Sequence, residues 1–280
     1  MQTLQIPSTE PLLGIRASRG SPVIVATDGR EQSDAALIAG RLLAGETEAL
    51  RVASVLTPVP VMTPEAALPI SPEIEAARRA DLKRGVHIQM ARAWSGETVA
   101  DVELYEGDPA TLVARLAHES NASMIVAGLG RHRVIDRLFG NETALRLVRM
   151  SAVPVLAVTN GLTHAPRRIV VAIDYSETSL RAARLALDVA ASSATVYLAH
   201  VAPRDSTLYD WNGWGSSYKQ DAGEALQKIR EQLRVPPGMI LQRVVLQGDP
   251  ATELLAFATS VNADLIATGS HGHGFVTRML

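Results

Sequence analysis

The chain has 280 residues, 47% of them hydrophobic and 20% charged, a mixture that buries enough surface to exclude wholesale disorder and, at about 150 residues per domain, predicts two domains. Lys plus Arg number 27 against 29 Asp plus Glu, a formal net charge of −2, which argues against a dedicated nucleic-acid binder because such proteins carry a basic excess. The absence of cysteine excludes disulfides, Cys-ligated metals and thiol catalysis; no apolar run is long enough for a membrane-spanning helix and no secretory signal opens the chain, so the expected compartment is the cytoplasm.

Residues 1–20 read as an N-terminal arm. The β-branched run at 22–28 is uniformly apolar, the pattern of a parallel strand buried on both faces. A helix follows from about Ser33 to Ala44, with Ala36, Leu37, Gly40 and Leu43 at helical spacing and Gly45 ending it. A strand near 50–56, a proline-rich loop and a long charged helix over 73–94 come next. After a strand at 99–105, Asp108-Pro109 opens another helix, Asp as N-cap and Pro at the first helical position. Strand 123–128, helix 141–150 and strand 153–159 close the first unit. Alternation of this kind predicts a doubly wound parallel sheet with helices on both faces.

The order then starts again. Val23-Ile24-Val25-Ala26-Thr27-Asp28 returns as Val170-Val171-Ala172-Ile173-Asp174, with Ser33 and Ser179 each five residues after the aspartate. Gly107-Asp108-Pro109-Ala110-Thr111 recurs letter for letter as Gly248-Asp249-Pro250-Ala251-Thr252, and the phase persists through Asn121-Ala122 and Asn262-Ala263. The chain is a tandem duplication: domain 1 over 21–160, a linker over 161–166 and domain 2 over 167–280. The sequence stops at Leu280, before counterparts of the last helix and strand of the first copy; either it is cut short there or this half is completed by something else.

In an open parallel sheet, ligands bind beyond the carboxyl ends of the strands, where strand order reverses. Asp28 and Asp174 end the first strand of each copy. Gly128-Leu129-Gly130 and Gly269-Ser270-His271-Gly272-His273-Gly274 follow the fourth strands. An aspartate can accept from a ribose hydroxyl or an exocyclic amine. Glycines let backbone N–H groups approach phosphate oxygens closely. An acid at one strand end beside a glycine-rich turn at the next suits a nucleotide.

The strand-end Asp, the Gly-Asp-Pro-Ala repeat and the fourth strand leading into GSHGHG resemble the universal stress protein family. The resemblance covers nearly the whole chain from residue 21, in two copies. The family's ATP-binding members show G-x-x-G, nine residues, then G-S or G-T, and use these positions for phosphates and ribose. Carried over to this sequence, the resemblance implies adenine-nucleotide contacts at Asp174, Val201, Gly269, Ser270, His271, Gly272 and Gly274 in the second copy. In the first it implies Asp28, Val55, Gly128, Gly130, Gly140 and Asn141. Val55 and Val201 end the second strands, where the family often uses backbone groups for the base. ATP or another adenine nucleotide is the implied cofactor, with Mg²⁺ brought only by its phosphates. Two departures stand out. In the first copy Gly128 and Gly130 are separated by one residue instead of two, Asn141 replaces Ser or Thr, and Glu142 puts a carboxylate where a phosphate would sit, offset by Arg131, Arg133 and Arg137. In the second, the later glycine would fall at position 282.

Plainer readings stand beside these. Asp28 and Asp174 could be turn or N-cap aspartates, and Gly128 and Gly130 could serve a turn that needs positive φ. His271 and His273, two apart with no third ligand, make a weak metal site. Tyr209, Trp211, Trp214 and Tyr218 form an aromatic loop that is either a flap over the core or a base-stacking lid. No G-x-G-x-x-G follows the first strand, no P-loop occurs, the single aspartate does not make a phosphoacceptor cluster, and no nucleophile is paired with a base. The sequence thus points to a regulatory nucleotide binder, with any ATP hydrolysis or autophosphorylation slow and secondary. The alternative is a nucleotide-free dimeric interaction module with degenerate pockets.

Residues 153–159 form an apolar fifth strand at a sheet edge, a template for pairing with another chain. The sequence therefore predicts a two-fold homodimer through this strand. Light scattering at about tens of micromolar should report a dimer that Val155→Lys dissolves; a monomer at that concentration contradicts the expectation.

Overall fold

The computed structural model describes residues 20–58, 71–95, 100–129, 142–159, 162–203 and 214–269. The chain divides into two compact units that part between Thr163 and His164. The first unit runs β1 (Val23–Ala26), α1 (Asp34–Ala44), β2 (Leu50–Leu56), α2 (Pro72–Ala93), β3 (Val102–Glu106), α3 (Pro109–Glu119), β4 (Met124–Gly128), α4 (Glu142–Met150) and β5 (Val155–Val158). Its strands are all parallel, in the order β3-β2-β1-β4-β5. The second unit holds β6 (Arg168–Ala172), α5 (Glu177–Val189), β7 (Thr195–Ala202), α6 (Trp214–Gln232), β8 (Ile240–Gln247), α7 (Pro250–Ser260) and β9 (Leu265–Ala267). Its parallel sheet has the order β8-β7-β6-β9. Among the described residues it has no equivalent of α4 and β5. Both sheets are therefore doubly wound α/β, as the alternation predicts.

Central strands are buried on both faces, which is why they read as continuous apolar runs. Ile24 and Ile125 face Val113, Leu116 and Leu147 in the α3–α4 layer. Val25 faces α1, and a Cβ on Gly40 would come within 2.1 Å of its Cγ2. Trp94, 3% exposed, closes α2 and donates its indole N–H to the carbonyl of Leu37 at 3.1 Å. In the second unit Ile169, Val171, Leu198 and Leu226 pack on the α5–α6 side, and Val170, Ala199 and Leu254 on the α7 side.

The two Gly-Asp-Pro-Ala-Thr segments build the same helix start. Gly107 and Gly248 sit at φ +136 and +147, and each donates its N–H to the last residue of the neighbouring strand, Leu56 or Ala202. Asp108 accepts from the Thr111 N–H at 2.9 Å and its hydroxyl at 2.6 Å. Asp249 does the same with Thr252 at 3.0 and 2.7 Å. Both helices end on an asparagine at φ 49, Asn121 and Asn262, a left-handed C-terminal residue that Asn tolerates well. In the first unit Arg146 of α4 adds a bidentate pair to Asp108, at 2.7 and 2.9 Å.

The hydrogen bonds from the Thr111 side chain and backbone, with those from Arg146, hold the Asp108 carboxyl down to about 2, against 3.8 for the free group. A carboxylate with a depressed folded pKa stabilises the fold fully above its unfolded value and loses that contribution as pH falls through the folded one. Asp108→Asn should thus lower the melting temperature at neutral pH, and the gap to the parent should close as pH falls from about 4 to about 2. Thermal melts across that range check it.

Candidate functional site

Strand order reverses between β1 and β4 in the first unit and between β6 and β9 in the second. The loops after these strands flank the crevice in which open α/β sheets bind ligands. Asp28 and Asp174 stand at its lip. The Asp28 Oδ1 accepts from the Arg30 N–H at 3.1 Å and the Ser33 hydroxyl at 2.9 Å, and the Arg30 guanidinium lies 3.7 Å from Oδ2. Ser33, read from sequence as the helix start, makes no side-chain cap on α1; its hydroxyl turns to Asp28 instead. The Asp174 Oδ1 accepts from the Ser176 N–H at 3.0 Å and hydroxyl at 2.5 Å. Burial pushes the Asp174 carboxyl up, but bonds from Ser176 and Ser179 outweigh it and hold the group below its ordinary value. Each aspartate is thus held by its own loop, the turn reading, while keeping its place at the crevice.

Gly128 and Gly269 end β4 and follow β9. Neither is among the described residues with positive φ, so the turn explanation for a glycine fails at both. Close approach explains them. A Cβ on Gly128 would lie 2.9 Å from Ser33 Cα and 3.2 Å from the Gln32 carbonyl oxygen; on Gly269 it would lie 2.9 Å from the Ser179 N and 2.8 Å from the Thr178 hydroxyl. The bare strand end lets the first turn of the first helix close directly on the fourth strand. Aspartate, helix start and fourth-strand end thereby meet in one place in each unit.

Val55 and Val201 complete the arrangement. Pairing of β6 with β7 ends at Ala172 opposite Ala199, and β7 continues to Ala202 beside β8. The Ile173 N–H donates to the Ala199 carbonyl. Successive peptide groups on a strand alternate sides, so the N–H and C=O of Val201 face the crevice side of β7, past the end of β6. Thr27 donating to Ala53 sets Val55 in the same way. A donor and an acceptor on one peptide edge suit the edge of a heterocyclic base. Gly130, Gly140, Asn141, Ser270, His271, Gly272 and Gly274 lie outside the described residues, as do Tyr209, Trp211 and the side chains of Trp214 and Tyr218. Among the described residues no group of three or more His, Cys, Asp or Glu could hold a metal ion.

Some supporting residues carry no motif. The Ser54 hydroxyl donates to the Thr27 carbonyl at 2.7 Å, and at the matching position His200 Nδ1 donates to the Ile173 carbonyl at 2.8 Å. Fully buried Gln89 accepts from the Thr27 hydroxyl at 2.6 Å and donates to the Arg30 carbonyl at 2.7 Å, locking the loop to α2. Gly29 and Tyr175 both adopt left-handed backbone, φ 76 and 65. α2 closes on Gly29, where a Cβ would meet the Val86 N at 3.2 Å. Tyr175 instead lays its ring 4.5 Å from that of His200 and donates its hydroxyl to the Ala222 carbonyl of α6 at 3.2 Å. Adjacency to Val55 and Val201 in the duplicated register could have signalled Ser54 and His200, and adjacency to Asp28 and Asp174 could have signalled Gly29 and Tyr175; Gln89 stands next to none of them.

These features define an α/β protein of two open parallel sheets, each with an acid, a bare strand end and an outward peptide edge around one crevice. The universal stress protein family model matches residues 21–159 and again 166–280, and the chain belongs to that stress-response family as a tandem two-domain member. A universal stress protein of Methanocaldococcus jannaschii is 30% identical over 120 residues, 41% of this chain and 70% of that protein. One of Mycobacterium tuberculosis is 29% identical over 186 residues, 64% of this chain and 61% of that protein. The matched part thus spans about three fifths of the mycobacterial relative. The crystal structure of a universal stress protein from Archaeoglobus fulgidus matches with a TM-score of 0.64 at 19% identity, covering 93% of this chain and 89% of that one, a likeness of fold.

Because the atoms facing Gly128 are backbone, an added methyl group has nowhere to go. Gly128→Ala should cost about 1–3 kcal/mol of stability, the usual range for overpacking a tight contact. Urea unfolding of the variant against the parent measures it, and an unchanged midpoint would show that the helix start can retreat freely.

Proposed function

We propose that the chain binds ATP or another adenine nucleotide for regulation, with the second unit as the stronger site. The observation that carries this reading is the convergence of Asp174, the outward peptide edge of Val201 and the bare backbone of Gly269 at one strand-order reversal. Asp174 accepts from ribose hydroxyls or an exocyclic amine, and Val201 offers one donor and one acceptor to the base. Gly269 opens the Gly269-x-x-Gly272 sequence, whose spacing matches the family's phosphate motif. Family membership supports the same ligand class, since its ATP-binding members use these positions. Mg²⁺ would enter only with the phosphates.

The first unit is the weaker site. Arg30 sits against Asp28, competing for the carboxylate that the ribose would use, and Gly128-Leu129-Gly130 is one residue short of the motif. The role we propose is regulatory binding, with any ATP hydrolysis or autophosphorylation slow and secondary. The self-association expected through residues 153–159 remains part of this reading, since β5 is the outermost strand of its sheet.

Denaturing the purified protein and chromatographing the supernatant should release adenine nucleotide. Calorimetry with ATP should then show Asp174→Ala losing at least about tenfold in affinity, the worth of roughly one hydrogen bond to a charged group, and Asp28→Ala losing less. No binding by the parent chain would leave the nucleotide-free interaction module as the correct account; the reverse ranking would move the site to the first unit.

A further inference from the structure

In each unit the long helix between the second and third strands is tied to the aspartate loop, and the two copies make the tie in opposite directions. In the first unit the helix reaches to the loop: Gln89 of α2 accepts from the Thr27 hydroxyl and donates to the Arg30 carbonyl, on either side of Asp28 and Gly29. In the second unit the loop reaches to the helix. Tyr175, directly after Asp174, donates its hydroxyl to the Ala222 carbonyl of α6 at 3.2 Å, across 47 residues of sequence. Its ring lies 4.5 Å from that of His200, and His200 donates from Nδ1 to the carbonyl of Ile173, directly before Asp174. The two neighbours of Asp174 are thus fixed from two elements, Ile173 by β7 and Tyr175 by α6.

The backbone marks Tyr175 as more than a packing residue. It sits at φ 65, where the first unit has Gly29 at φ 76. Left-handed backbone is the ordinary place of glycine and an uncommon one for a bulky side chain. Such outliers persist only where surrounding contacts hold them, and they gather at binding sites and switches. Here the holding contacts are the His200 ring and the Ala222 carbonyl. The tyrosine is 39% exposed, so core burial does not account for it. Ala222 and Leu226 of α6 are buried, and the tie therefore runs from the lip of the crevice to the packed side of the helix.

We propose that Tyr175 is a positioning residue for the adenine nucleotide of the second crevice, and that its bond to Ala222 couples occupancy of the crevice to the order of α6. The inference rests on the nucleotide reading above and adds to it the element through which binding is felt elsewhere in the unit. A ligand that engages both Asp174 and the peptide edge of Val201 holds the loop against the end of β7. That keeps the Tyr175 ring seated on His200 and its hydroxyl on α6. Coupling of this kind is reciprocal: an α6 held in place favours the ligand as much as the ligand favours α6. Gly29 has no side chain to do the same in the first unit, where the tie starts instead from the fully buried Gln89.

The test uses the 280-residue chain with ATP as the probe, read by calorimetry and by hydrogen exchange. In the parent, ATP should slow exchange at 222–226 in α6 as well as at 199–202 in β7. Tyr175→Phe keeps the ring on His200 and removes the hydroxyl. It should lose at least about fivefold in affinity, the lower end of the usual range for coupled sites, and lose the response at 222–226 while keeping that at 199–202. Tyr175→Gly suits the left-handed backbone better but removes the ring as well, and should bind more weakly still. A purely structural tyrosine gives the opposite split, with thermal melts lowered but affinity and the α6 response unchanged. That result overturns the proposal and leaves the nucleotide reading standing, and so does a response in the parent confined to 199–202. No ATP binding by the parent overturns both.

Discussion

The organisation of both units rests on one close approach. The first turn of the first helix, through Ser33 or Thr178 and Ser179, sits against the end of the fourth strand at a distance that tolerates no side chain on Gly128 or Gly269. This contact brings the loop after the first strand over the point where strand order reverses. The aspartate, its serine partners and the terminal peptide of the second strand then surround one small crevice. With a side chain there, the helix would have to lift and the crevice would open. Gly40, packed on Val25, serves the same closeness further along α1.

Around this shared geometry the two copies use different chemistry. The carbonyl before the aspartate is held by a serine in one and a histidine in the other. The left-handed residue after it is a glycine tucked under α2 in one and a tyrosine tied to α6 in the other. The contrast extends to the outer strands. In the first unit Arg51 and Tyr105 both donate to Glu103 at 2.6 Å. Burial pushes the Glu103 carboxyl up, but these bonds bring it below its ordinary value. Burial and Glu103 push the Tyr105 hydroxyl up to about 12. In the second unit the matching positions are Tyr197, Val244 and Leu246, and Tyr197 packs edge-on against Phe257 with ring centres 5.4 Å apart. Backbone geometry was retained through duplication while the side chains that satisfy it diverged.

The acid at the crevice also shows how a structural role leaves room for the ligand-binding role proposed for it. Asp28 and Asp174 each bond the backbone N–H two residues on, which shapes the turn. A turn of this type holds the carboxylate rigidly, and rigidity lowers the entropic cost of binding a partner. The turn reading and the nucleotide reading are therefore compatible.

Strand and helix order, the parallel sheets, the duplication and both helix caps were legible in the sequence because each depends on local pattern. Apolar runs mark strands buried on both faces, and Asp-Pro marks a helix start wherever it falls. The positions of Asp28, Asp174, Val55 and Val201 at strand ends followed from the same patterns. Tertiary structure alone decided why Gly128 and Gly269 are glycines, since the atoms they avoid are remote in sequence and belong to another element. It also decided the roles of Gln89, Ser54, His200 and Tyr175, whose partners lie 27 to 62 residues away. Local periodicity encodes which face of an element is apolar; which two elements touch, and how closely, is set only when the sheet and its helices pack.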